Sequence, residues 1–226
     1  MREALHSVCP ALFWVFAAIY AVAAVFFLVR FLRGRDIFYL LCALFIFGLF
    51  YDSFVLALGS FMPEGPALHA LSRMRFVFHG VLIPLIIPVC AYALGFRGGW
   101  LKAAWIVTAL LIALGAAYGF AVELTVERVA GIVRYTSVKE TPAWISAASG
   151  LLSYGMVIPL IAAGIAVWIK QKTPLLFLAG FLMFAFSALG PATGNFDLIF
   201  LIGMFGELCM AVCYLLYARR RNKAKE

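Results

Sequence analysis

The sequence predicts an all-α polytopic membrane protein, a bundle of seven transmembrane helices with its N-terminus outside and its C-terminus cytoplasmic. Three observations predict it. The 226 residues are 66% hydrophobic and only 12% charged. The apolar residues gather in long runs, and Lys and Arg gather in alternate connections between those runs. Soluble domains are about half apolar and about a quarter charged. A water-soluble fold of this size could not hide so much apolar surface, given its ratio of surface to volume. The mean hydropathy of +1.06 points to lipid as the solvent.

A spanning helix needs about 20 apolar residues, because the bilayer core is roughly 30 Å thick and a helix rises about 1.5 Å per residue. One transmembrane domain covering 1–226 is expected, with helices at about 10–32, 37–62, 71–96, 103–122, 143–169, 174–191 and 197–218. The first run is too long for a signal-peptide core, and an Arg-rich loop follows it in place of a cleavage site.

Loop charge sets the expected orientation. Arg30, Arg33 and Arg35 follow the first run; Arg97 and Lys102 follow the third; Lys170 and Lys172 follow the fifth. The tail, 219–226, adds Arg219, Arg220, Arg221, Lys223 and Lys225. Short loops rich in Lys and Arg stay cytoplasmic, so the odd-numbered connections lie inside. The longest connection, 123–142, then lies outside. Its alternating polar and apolar residues around Gly131 read either as a short β-hairpin lid or as an ordinary loop. A bacterial or archaeal cytoplasmic membrane, with its lipids as partners, is the expected location.

The net charge of +8 does not signal nucleic acid, because no aromatic–basic platform accompanies the dispersed basic residues. Five cysteines occur without a CxxC pair. Most lie inside apolar runs, where a thiol is a small core hydrophobe.

Ionisable side chains inside hydrocarbon are costly, and each one marks a candidate site. Asp52 lies on the second span beside Tyr51, Arg75 and His79 on the third, and Glu207 on the seventh. At the helical rise, Asp52 and Glu207 lie roughly 15 Å and His79 roughly 12 Å below the outer ends of their spans. One shared cluster is therefore expected between these three spans. Arg75, four residues from His79 on the same face, is the natural partner of Asp52, Glu207 or both. Two readings follow. Either the charges form a structural ion network around a core histidine, or they line an outward-opening cavity. In the second reading Asp52, His79 and Glu207 are the catalytic candidates, and Arg75, Tyr51, Asn195 and Asp197 the binding candidates. Asn195 and Asp197, at the mouth of the seventh span, are also capping residues. Pro84 and Pro88 are expected to bend the third span below His79. Tyr118, Tyr154 and Trp144 read as interfacial or packing residues.

Several chemistries are disfavoured. No lysine lies in the last span, which excludes a retinal Schiff base. Ser149 has no histidine after it to act as its base. A zinc site from His79, Asp52 and Glu207 is a lesser alternative, and no metal or other cofactor is expected. With seven helices and an acid on each of the second and seventh, the chain resembles the membrane-bound terpene cyclases of fungal meroterpenoid pathways. Phe47-Gly48-Leu49-Phe50-Tyr51-Asp52 lacks that family's Asn and Trp-Glu pattern, so the resemblance is one of topology.

Three functions are compatible with these residues. The first is a small membrane enzyme acting on a lipid-like or isoprenoid substrate, a hydrophobic small molecule, with Asp52 or Glu207 as general acid and His79 as relay. The second is a proton-coupled transporter using the same groups. The third is a sensor or assembly factor without catalysis. Enzyme is the favoured reading, because the acids cluster at one depth and do not mark a path across the membrane.

Overall fold

Within lipid a chain must satisfy its own backbone hydrogen bonds, and apolar runs therefore fold as helices. The structure is a computed structural model that describes the backbone of residues 2–138, 140–192 and 196–223, and the side chains of 8–138, 140–189 and 201–221. Its helices are α1 (Arg2–Gly34), α2 (Ile37–Leu58), α3 (Pro66–Leu82), α4 (Ile86–Leu94), α5 (Gly98–Ala121), α6 (Ala143–Gln171), α7 (Leu175–Ala192) and α8 (Phe196–Lys223). Six stretches are long and apolar enough to cross a membrane: Val8–Gly34, Ile37–Leu58, Pro66–Leu94, Gly98–Ala121, Ala143–Gln171 and Leu201–Arg221. A further apolar helix, Leu175–Leu189, is shorter. Large apolar side chains such as Val22, Ile106, Leu110, Ile158 and Ile169 stand exposed on the outside of the bundle. In water such a surface would aggregate; in a bilayer it is the solvated face.

Helix ends depart from the apolar runs where polar residues can still continue or start a helix. α2 stops at Leu58, where the Gly59 amide closes onto the carbonyls of the last turn and the Ser60 hydroxyl donates to Ala57 at 2.6 Å. α3 starts at Pro66, ahead of the expected 71, because proline at the first position has no N–H to leave unsatisfied. α8 continues to Lys223 through the basic tail, where Arg221 meets Asp36 at 3.2 Å.

The third span is interrupted below His79. α3 ends at Leu82, a 3₁₀ turn covers Ile83–Leu85, and α4 restarts at Ile86. Pro84 lies in that turn, and Pro88 falls in the first turn of α4, where its missing N–H removes no helical bond.

Close helix contacts are made through glycine. A Cβ on Gly80 would overlap the Gly115 backbone, and one on Gly115 would overlap that of Gly80, so α3 and α5 meet backbone to backbone. Small residues permit this approach where no hydrophobic effect drives helices together. Around the ring, α1 packs on α2, α2 on α3, α3 on α5, α4 on α6, α6 on α7 and α7 on α8. α8 returns against α1 and α2 through Phe16–Phe205, Phe45–Tyr214 and Phe38–Tyr217 ring contacts.

Residues 124–137 form an antiparallel hairpin, β1 (Leu124–Val129) paired with β2 (Ile132–Ser137). Its two-residue turn, Ala130-Gly131, has positive φ at both positions (49° and 79°), the conformation that fits the twist of a tight hairpin. The tip residues Val129, Ala130 and Ile132 are buried in the main core. The Val133 amide donates to the Gly59 carbonyl at 2.9 Å, which seats the hairpin on the end of α2.

Candidate functional site

Below the hairpin, a cavity of about 380 Å³ opens between α2, α3, α5, α6, α7 and α8. Asp52 comes from α2, Arg75 and His79 from one face of α3, and Glu207 from α8, so four of the expected residues line one void. Glu207 reaches it because Gly206 lets α8 approach α7: a Cβ there would lie 3.0 Å from Phe186 Cβ and 3.3 Å from Met183 Cα.

Arg75 Nε lies 2.8 Å from Asp52 Oδ1, with the two side chains only 13% and 16% exposed. The Arg75 guanidinium also sits 5.3 Å from the centre of the Phe76 ring. Arg75 Nη1 and Glu207 Oε2 are buried and have no hydrogen-bond partner among the described residues. Of the two acids expected to compete for Arg75, Asp52 holds it, and no described ion pair reaches Glu207.

The cavity has an apolar end and a polar end. A smaller pocket of about 160 Å³ shares His79, Glu207, Ser153 and Ser187 with it and runs on to Leu49, Ile86, Leu160 and Met210. On the hairpin side, a space of about 420 Å³ shares Tyr118, Ser137, Ser149 and Tyr154, and is lined further out by Thr141 and Ser146. The three spaces thus follow one another from the surface between β2 and α6 to an apolar end. His79 and Glu207 stand where polar lining gives way to apolar.

The opposite end of the bundle is closed by packing and hydrogen bonds. Gln171 Nε2 donates to the Ala93 carbonyl at 2.7 Å, and the Tyr217 hydroxyl donates to Gln171 Oε1 at 3.0 Å. Arg221 stacks over Phe38 at 4.2 Å while bonding Asp36. Tyr214 and Phe45 fill the space above this layer.

Not every candidate reaches the void. Tyr51 is absent from its lining; its hydroxyl donates to the Leu71 carbonyl at 3.3 Å and its ring meets Phe78 edge-on at 4.8 Å, tying α2 to α3. Asn195 lies outside the described residues, as does the Asp197 side chain. Arg73 turns away and caps α5, donating to the carbonyls of Gly119, Phe120 and Val122. Among the described residues, no three His, Cys, Asp or Glu side chains are grouped to hold a metal ion, and the zinc arrangement therefore has no geometric basis.

The structure also adds residues that the sequence reading left aside. Tyr118 and Tyr154, expected as interfacial or packing residues, also line the cavity. Ser149 and Ser153, four apart on α6, and Ser187 on α7 supply hydroxyls. The spacing of Ser146, Ser149 and Ser153 on one helix face was the legible signal for this polar stripe. Arg134 enters from β2, held by Glu127 through Nε at 2.8 Å and Nη2 at 2.6 Å. Burial pushes its guanidinium down from the usual arginine value, and the Glu127 carboxylate opposes that shift.

Comparison with models of known protein families and with curated proteins finds no match.

Proposed function

We propose that the protein is a membrane enzyme that acts on a lipid-like substrate by acid–base chemistry at Glu207 and His79. In this reading the chain crosses the bilayer seven times, with the hairpin outside and the basic loops in the cytoplasm. One observation carries the proposal: a carboxyl and an imidazole share the boundary between a polar chamber and an apolar pocket. An amphiphile whose chain lies against Leu160 and Met210 would bring its reacting group to Glu207. The free carboxyl oxygen suits proton donation to that group, and His79 can pass a replacement proton from the polar chamber. Asp52, held by Arg75, keeps a fixed charge nearby and does not donate. The closed tail end favours this over passage of a solute through the bundle.

The test is incubation of the purified protein with a total lipid extract from its native cells, followed by mass spectrometry of the lipids. A specific lipid should disappear and a product appear, and Glu207→Gln should slow the conversion by about a hundredfold or more. No conversion with wild-type protein would defeat the reading, and proton or solute flux in proteoliposomes would replace it with transport.

A further inference from the structure

We infer that the polar chamber is a headgroup site for an oxyanion, and that the substrate is an amphiphile ending in a phosphate. The inference rests on the enzyme reading above and adds the class of substrate. A guanidinium can only donate hydrogen bonds, and Arg75 spends Nε on Asp52 while Nη1 is buried with no partner among the described residues. A second guanidinium, Arg134, lines the same chamber and is positioned by its two bonds to Glu127. Hydroxyls of Ser137, Ser149, Ser153 and Tyr118 surround them. Two guanidiniums therefore line the chamber, and of its two carboxyls Asp52 is already engaged by Arg75. A cationic headgroup would meet two arginines, and a neutral alcohol would leave most of the donors unused. A phosphate presents several acceptor oxygens and matches the guanidinium geometry. Its position near Arg75 places the first atoms of the attached chain at His79 and Glu207, where the lining becomes apolar.

The experiment measures binding of the full-length protein, in a neutral detergent, to dodecyl phosphate, dodecanol, dodecyltrimethylammonium and inorganic phosphate. Dodecyl phosphate should bind at least about tenfold more tightly than the alcohol or the ammonium amphiphile, as expected of one charge-assisted hydrogen bond. Arg75→Gln combined with Asp52→Asn removes both charges of the pair together and should weaken that preference severalfold, the remainder resting on Arg134. Arg75→Lys should retain part of it. Equal binding of alcohol and phosphate, or a preference undiminished by the paired substitution, would overturn the headgroup site whatever the lipid-conversion assay shows. Inorganic phosphate binding as tightly as dodecyl phosphate would overturn the amphiphile and leave a free anion as ligand.

Discussion

Gly80 and Gly115 touch backbone to backbone, which brings α3 against α5 and fixes the angle at which Arg75 and His79 face the cavity. Any side chain at either position must push the helices apart. Gly115→Val should destabilise the protein by about 1–3 kcal/mol, the usual cost of overpacking. Thermal unfolding in detergent, read by fluorescence, checks this. A melting temperature unchanged from wild type would show that the two helices do not depend on that contact.

The Asp52–Arg75 pair should matter more when broken than when removed. Asp52→Ala leaves a mostly buried guanidinium without its counterion, at a cost of about 3 kcal/mol, whereas Asp52→Asn with Arg75→Gln replaces both charges by amides. The double variant should therefore melt above Asp52→Ala. The reverse order would mean that Arg75 finds another partner.

The hairpin turn requires left-handed backbone at two successive residues, and only Gly131 adopts it without strain. Gly131→Val should loosen the hairpin, and Ala130→Asn should leave it intact, since asparagine tolerates this region. Limited proteolysis within 123–142 gives the readout. Equal cleavage of wild type and Gly131→Val would contradict the turn. Because Val133 anchors to Gly59, the loosened hairpin should also expose Ser137 and Tyr118.

Access should be one-sided. In a background with the five cysteines replaced, Ser149→Cys should react with a membrane-impermeant maleimide added from outside, because the space lined by Ser146 and Thr141 leads to it. Lys102→Cys, exposed at the opposite end, should react only after the cells are opened. Labelling of Lys102→Cys on intact cells would reverse the proposed orientation.

Helical spans were legible because the bilayer imposes one length scale and forbids unsatisfied backbone, so a run of apolar residues has a single outcome. Asp52, Arg75, His79 and Glu207 were legible as candidates for the same reason: charge in oil needs a cause. Arg134 was not, since a residue on a loop carries no cost that marks it and only the hairpin fold turns it inward. The α6 serines share a face that the spacing shows, but their convergence with Ser187 of α7 appears only when the helices are packed.

What the sequence determined alone is which segments are helical and which side chains have no business in lipid. Tertiary structure decided which carboxylate Arg75 takes, leaving Glu207 without a cation among the described residues, and it decided that Tyr51 braces two helices outside the void. It also decided that the cavity is closed at one end, through Gln171, Tyr217 and Arg221. The physical reason is one of range. Transfer into lipid is a property of each residue in its own segment, whereas pairing, seating and closure depend on contacts between residues far apart in the chain.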